Sequence, residues 1–260
     1  MEAMDVNCLF GSWPFRKLYR NRLEDLLKIH AETGIARCCV SSMNSIFYND
    51  PFEAELDLHE ALKGTSCMHI LTVNPKLPSF EDDIAVGAER FGIRGVRIYP
   101  GYHGYALDDP CLERLLGVLR RFRLPLFLTM RLEDERLDYL LHPRRIGVPD
   151  ELLRFVSSVT DLPVLILNLR WGEIQFCADA LKTQENLFID TSGVKDPVES
   201  MERIVGLIGD RKILYGSQYP LNALKSTLYE VTMADLPQES RDRILSENAR
   251  AFFSSCGSRG

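Results

Sequence analysis

Leu162-Pro163-Val164-Leu165-Ile166-Leu167-Asn168-Leu169-Arg170-Trp171-Gly172 decides the fold. The four apolar residues Val164 to Leu167 offer water no polar face, so such a strand must be covered on both sides. Parallel sheets flanked by helices give that environment. The run turns polar at Asn168 and Arg170, and residues 173–181 then show helical periodicity. The same unit recurs along the chain. Strand-like runs at 4–10, 36–41, 68–73, 95–99, 125–130, 163–168, 187–191 and 212–217 alternate with amphipathic stretches at 22–33, 51–62, 80–91, 109–122, 149–159, 173–181 and 197–208. Two further helical stretches, 223–233 and 238–253, follow the eighth run. Asp-Pro at 50–51, 109–110 and 196–197 and Val-Pro at 148–149 set proline just inside helix starts, where its missing N–H costs nothing. Gly34 and Gly92 sit where left-handed helix ends are needed.

Eight βα units predict an α/β chain folded as a (β/α)8 TIM barrel, one domain over 1–253 with C-terminal closing helices and a flexible tail at 254–260. An open doubly wound sheet also alternates strand and helix, but no G-x-G-x-x-G follows the first strand. The 260 residues, 45% hydrophobic and 26% charged, have material for one large core. A net charge of −6 argues against a nucleic-acid partner. No run approaches the length of a membrane span, and acidic residues occupy the start where a signal peptide needs positive charge. The expectation is a cytoplasmic protein. Seven cysteines without a C-x-x-C pair read as buried small hydrophobes in a reducing compartment.

In a barrel of this kind the chemistry sits at the C-terminal strand ends. Period-two alternation pairs Arg97 with Tyr99, Thr129 with Arg131 and Asn168 with Arg170 on inward faces, leaving Val96 and Ile98, Leu126 and Leu128, and Leu165 and Leu167 for the helix layer. Three arginines, Arg97, Arg131 and Arg170, then converge on one rim and call for an anion. The alternative is that Arg97 and Arg131 turn outward to Glu133 or Asp134. Asn7, Arg16 and Gln218 complete the expected binding set. His103, between glycines at the mouth, and Asp190, ending strand seven, are the candidate acid or base, although a buried ion pair with a rim arginine also explains Asp190. His30, His59, His69 and His142 lie away from the rim and read as structural. Trp13 and Phe15 either wall the pocket or cover the barrel top.

These residues carry a resemblance to the amidohydrolase-related branch of the amidohydrolase superfamily. Asp5-Val6-Asn7-Cys8-Leu9-Phe10-Gly11 stands where the family has D-x-H-x-H and a glycine. Gly92-Ile93-Arg94-Gly95-Val96-Arg97, Leu107-Asp108-Asp109-Pro110, Leu124-Pro125-Leu126-Phe127-Leu128-Thr129, Arg170-Trp171-Gly172, Gly216-Ser217-Gln218-Tyr219-Pro220 and Asn248-Ala249 follow in family order. The resemblance implies a metal site at Asn7, Leu9, Thr129, Arg170 and Gln218, where family members carry four histidines and an aspartate. This set has neither imidazole nor carboxylate, and Arg170 has donors only, so the protein is expected to hold no metal and no cofactor. Pyrone-dicarboxylate lactonases of the same branch hydrolyse without metal, but they keep an acid that activates water, and Gln218 cannot take a proton. The expectation is a metal-independent enzyme that hydrolyses a small carboxylated lactone, ester or amide, or decarboxylates such a compound, with Arg170 stabilising the developing charge. The alternative is a catalytically inactive barrel binding a small anion or a protein partner. A homodimer is the assembly left open.

Overall fold

The computed structural model describes residues 3–134, 136, 141–195 and 199–256. Eight parallel strands run in sequence order: β1 Ala3–Phe10, β2 Ile35–Ser42, β3 Met68–Thr72, β4 Gly95–Ile98, β5 Leu126–Thr129, β6 Val164–Leu167, β7 Leu187–Asp190 and β8 Ile213–Leu214. The barrel closes from β8 to β1. Val6 N donates to Tyr215 O at 2.9 Å, Gln218 N to Asn7 O at 2.7 Å and Leu9 N to Tyr219 O at 2.8 Å. β8 is shorter than the run 212–217, because from Tyr215 onward the chain bonds to β1 through loop geometry rather than a regular ladder.

The helices around it are α1 Leu23–Thr33, α2 Asn44–Phe47, α3 Pro51–Leu62, α4 Phe80–Val86, α5 Pro100–His103, α6 Cys111–Phe122, α7 Leu153–Ser158, α8 Trp171–Thr183, α9 Ser200–Ile208, α10 Leu224–Thr232, α11 Gln238–Asp242 and α12 Asn248–Ser255. Sequence punctuation works as expected at several ends. Asp50 accepts from Phe52 N at 3.0 Å before α3, and Gly34 and Gly92 take φ of 75° and 64°. The helix expected from 197 is described from Ser200, and Asp196 and Pro197 lie outside the described residues. Helix α12 runs two residues into the expected tail, and 257–260 lie outside the described residues. Among the described residues, no helix is long and apolar enough to cross a membrane.

Three apolar layers fill the molecule. Val96, Ile98, Leu126, Leu128, Val164 and Ile166 join the layer between strands and helices. Met4, Val6, Ile70, Phe127, Leu165, Leu167 and Leu214 fill the barrel interior together with Ala249, Phe252 and Phe253 of α12. Arg94, just before β4, lies over the Phe253 ring at 6.0 Å, so α12 plugs the N-terminal end of the barrel. At the other end Leu9, Trp13, Met43, Ile46, Tyr99, Leu132 and Leu221 pack together.

The inward faces of β4 and β5 match the alternation read from sequence. That of β6 does not: Leu165 and Leu167 point into the barrel, and Val164 and Ile166 face the helices. A continuously apolar strand carries no phase, so its alternation gave no information.

Phe252 is fully buried and meets Phe127 and Phe188 edge-on at ring distances of 6.0 and 5.2 Å. Removing such a ring from a closed interior costs about 3–5 kcal/mol. Phe252→Ala should therefore lower the denaturant midpoint sharply. A loss under about 1 kcal/mol in equilibrium urea unfolding would mean that α12 does not plug the barrel.

Candidate functional site

Bends at three strand ends turn polar side chains into the upper barrel. In β1 the register with β2 slips between Asp5↔Cys38 and Cys8↔Val40, so β1 carries one extra residue there. Such a bulge reverses the alternation, and Asn7 and Leu9 reach the upper interior above Met4 and Val6. Asn168 and Gln218 adopt left-handed backbone, with φ of 64° and 55°. Asparagine tolerates that region better than most residues.

At the centre is Asp190, with no solvent exposure. Its Oδ2 accepts from Asn7 Nδ2 at 2.8 Å and Ser192 Oγ at 2.6 Å, and its Oδ1 accepts from Asn168 N at 2.8 Å. Asn168 Nδ2 donates in turn to Ser192 Oγ at 2.7 Å. Burial outweighs these bonds and pushes the carboxyl up to about 6. Arg97 lies beside this network, also buried. Its Nε donates to Thr129 Oγ1 at 2.8 Å, its guanidinium stands 5.0 Å from the Tyr99 ring centre, and its charge draws on that of Asp190. Arg97 Nη2, Asn7 Oδ1 and the Tyr99 hydroxyl are buried without a hydrogen-bond partner.

Above the network a cleft of about 690 Å³ opens over the ends of β5 to β8. Asn168, Ser192 and Gln218 form its floor. Gln218 is held in place: Nε2 donates to Leu132 O at 2.6 Å, and Oε1 accepts from Asn222 Nδ2 at 2.9 Å. Among the described residues, Arg16, Arg131, Arg136, Arg170 and Lys195 line the walls, against the carboxylates Glu133 and Asp134. The other half of the mouth is closed by Trp13, which packs edge-on against Phe15, Phe47 and Tyr102. A side pocket of about 110 Å³ joins the cleft along Arg131, Glu133 and Asp134, walled by Trp13, Phe15 and Tyr102. These aromatics therefore both cover the barrel and line a pocket.

The expected trio of rim arginines does not converge. Arg97 lies sealed beneath the cleft. Arg131 engages both Glu173 carboxylate oxygens, with Nη1 at 2.6 Å from Oε2, and also donates to Asn168 O at 2.8 Å. Arg170 lines the cleft, 44% exposed and 3.8 Å from Asp134. The left-handed turn at Asn168 breaks the alternation, so Asn168 takes the interior position and Arg170 becomes the residue that caps α8. Nor do Arg97 and Arg131 turn to Glu133, which instead binds Arg16 Nε at 2.7 Å and Trp13 Nε1 at 2.9 Å.

His103 is also displaced from its expected role. It sits outside the cleft lining, with Nε2 3.2 Å from Ile46 O, and burial lowers it to about 4. The sequence reading passed over Glu173 and Lys195, and it named Glu133 only as an outward partner for Arg97 or Arg131. Only Glu173 left a signal, standing three residues after Arg170 at a helix start.

The comparisons with known proteins agree with this fold. An amidohydrolase family model matches residues 57–254, more than half of the chain. The chain belongs to the amidohydrolase family. A search of curated protein sequences gives no match. Among solved structures, the chain is similar to 5-carboxyvanillate decarboxylase from Novosphingobium aromaticivorans with bound manganese, at 15% identity and TM-score 0.74 over 97% of each chain. It is similar to 2,6-dihydroxybenzoate decarboxylase from Rhizobium, at 16% identity and TM-score 0.73 over 98% of this chain and 99% of the other. An uncharacterised TIM-barrel protein from Bordetella bronchiseptica gives 15% identity and TM-score 0.76 over 99% and 100%.

A divalent metal does not fit the barrel mouth of this amidohydrolase. Among the described residues the one carboxylate in the upper barrel interior, Asp190, already accepts from three donors, and Thr129 and Gln218 are engaged. A buried guanidinium stands beside them, and a dication placed there would be repelled by Arg97.

Asp190 and His103 titrate in overlapping windows with opposite effects on stability. The raised carboxyl favours the fold while protonated, a contribution lost as pH rises from about 4 through 6. The depressed imidazole favours the fold while neutral, a contribution lost as pH falls from 6.5 towards about 4. In the native protein the two offset one another. Asp190→Asn should lose stability on acidification from pH 6.5 to 4 more steeply than the native chain, by up to about 3 kcal/mol. Parallel curves of unfolding free energy against pH for the two proteins would contradict the assignment to Asp190.

Proposed function

We propose that this amidohydrolase is a carboxylate-binding barrel that works without a divalent metal and activates no hydrolytic water. Its ligand is a small carboxylated compound of aromatic size, held in the cleft with its carboxylate towards Arg170 and its ring towards Trp13, Phe15 and Tyr102. The observation that carries this reading is the make-up of the cleft: five cationic side chains against two carboxylates among the described residues, above a floor of amides and a hydroxyl. Guanidinium groups bind carboxylates through paired N–H donors, and a volume of about 690 Å³ suits a small-molecule ligand. Among the described residues, hydrolysis has no unengaged base: Asp190 is sealed and bound by three donors, His103 faces Ile46, Glu133 is engaged by Arg16 and Trp13, and Asp134 by Arg136 and Arg170.

Decarboxylation of a carboxylated aromatic is the second reading, and one observation favours it. A carboxyl group at about 6, under the cleft floor, is partly protonated near neutrality and holds the proton that a departing CO2 leaves the ring carbon needing. The likeness to two aromatic-acid decarboxylases supports this choice over hydrolysis. The absence of any Asp190 exposure favours binding over turnover.

Aromatic mono- and dicarboxylates at low salt should raise the melting temperature of the native protein, where screening is weakest. Arg170→Met should reduce ligand affinity about 10-fold or more, in line with a charged hydrogen bond of roughly 1.5–3 kcal/mol. Added manganese should leave the native affinity unchanged. No stabilisation by any member of the panel would overturn the binding reading. CO2 release that disappears in Asp190→Asn would replace it with the decarboxylase.

A further inference from the structure

Behind the barrel wall, on the side of β1 away from the cleft, a second constellation of chemically capable groups is closed in by α1. Cys8 and Asp5 come from β1, Cys38 from the adjacent β2, and His30 from the buried face of α1 beside Leu26. Cys8 Sγ lies 3.8 Å from His30 Nε2, and His30 Nε2 lies 3.6 Å from Asp5 Oδ2. One ligand atom from each of the three falls within 4.8 Å of the others. Cys38, one strand over, interacts electrostatically with Cys8 and His30 but lies outside this close set of three, its thiol 2.8 Å from Cys67 Sγ, so it must turn from Cys67 to join them.

Asp5 is divided between two tasks. Its Oδ1 accepts from Asn7 N at 3.0 Å and Ser217 N at 2.9 Å and so ties the seam between β1 and β8. Its Oδ2 is fully buried with no hydrogen-bond partner and faces His30. A buried carboxylate oxygen without a donor is costly unless a cation meets it, and the His30 imidazolium 3.6 Å away is one such cation, whose place zinc would take.

We propose that Asp5, Cys8, His30 and Cys38 form a structural zinc site in the barrel wall, separate from the cleft. Thiolate, imidazole and carboxylate are the donors zinc prefers, and four of them make a closed structural site. With bond lengths of about 2.3 Å to sulfur and 2.0 Å to nitrogen or oxygen, a tetrahedron has S···N and N···O edges of about 3.5 and 3.3 Å. The observed 3.8 and 3.6 Å exceed these by a few tenths of an ångström. Loading forms two Zn–S bonds, one Zn–N bond and one Zn–O bond. The protons of both thiols leave, as does any second proton on His30, and no electrons move. The site revises the sequence reading of these cysteines as packing and of His30 as merely structural. It also confines the metal-free expectation to the barrel mouth. Zinc here would clamp α1 to the sheet at the seam that Asp5 already ties.

The test uses the full chain, purified under reducing conditions without chelator, with its zinc content measured and then exchanged for cobalt(II). The native protein should hold stoichiometric zinc, and the cobalt form should show thiolate-to-metal charge-transfer absorption. Cys8→Ser should lower cobalt affinity more than about 100-fold and remove most of that absorption. Cys38→Ser should weaken it, and Asn7→Ala and Gln218→Ala, at the barrel mouth, should leave it intact. Circular dichroism reports whether each variant folds, and His30→Gln replaces Cys8→Ser if the latter does not. Absence of zinc together with no charge-transfer band on cobalt addition overturns the proposal. So does a bound metal whose spectrum shows no thiolate, or one lost only in the mouth variants. Cys67 Sγ lies 2.8 Å from Cys38 Sγ. A Cys38–Cys67 disulfide without zinc, found by mass mapping of the unreduced protein, would assign the cluster to redox chemistry instead. None of these outcomes bears on carboxylate binding in the cleft.

Discussion

A carboxylate with no contact to water, Asp190, has to be met by donors, and the upper barrel is organised around that demand. The bulge in β1 brings Asn7 to one oxygen, the left-handed turn at Asn168 offers a backbone N–H to the other, and Ser192 closes the ring from just beyond β7. Even the backbone yields space: a Cβ at residue 216 would stand 2.5 Å from Asp190 Oδ2, so only glycine fits there. Removing one donor from such a group leaves a buried lone pair unmet, at about 1–3 kcal/mol. With Asp190 met by three donors and the Arg97 guanidinium beside it, the ring does not favour a metal ion. In the amidohydrolase family's usual pattern, these strand ends hold imidazoles and a carboxylate around a cation. Here amides and a hydroxyl hold the carboxylate, and the fixed positive charge nearby belongs to Arg97.

Charge is layered along the barrel axis. Arg97 and Asp190 form the buried tier, and the cationic cleft forms the exposed one. Arg131, on the cleft wall, is fixed by Glu173, which also accepts from Arg170 N at 2.8 Å. One glutamate thus sets both the start of α8 and the edge of the cleft. Over the opposite half of the mouth the Trp13 cluster excludes water and confines access to the β5 to β8 side. The shared fold does not decide the chemistry, since function resides in the site. Among the described residues, the carboxylates facing the cleft, Glu133 and Asp134, are paired with arginines, and the anion-binding reading proposed above rests on that.

The fold was legible because eight strand runs and their prolines and glycines repeat a local rule, and every strand appeared where its run stood. The site was only partly legible. Asn7, Arg97, Thr129, Asp190 and Gln218 were found from strand ends and alternation, which hold as long as the strand stays regular. Alternation fails where the backbone bends, and the bends at Asn7 and Asn168 lie at the site itself. Arg170 was misplaced for that reason, as was the trio of arginines. Long-range pairings such as Arg131 with Glu173 or Glu133 with Trp13 leave no trace in local sequence. His103 looked accessible between two glycines, but the helical turn α5 folds it down onto the Ile46 carbonyl. Cys8, Cys38 and His30 gave no motif, because strand and helix spacing bring them together only through the barrel's curvature.

The central claim is that the barrel mouth is complete without a divalent metal. Anomalous diffraction from crystals soaked in manganese at saturating concentration tests it most directly. The account predicts no anomalous peak within bonding distance of Asn7, Thr129, Asn168, Asp190 or Gln218, with the Asp190 hydrogen bonds unchanged. A manganese peak coordinated by Asp190 and the amide oxygens of this ring, with Arg97 displaced, would contradict it.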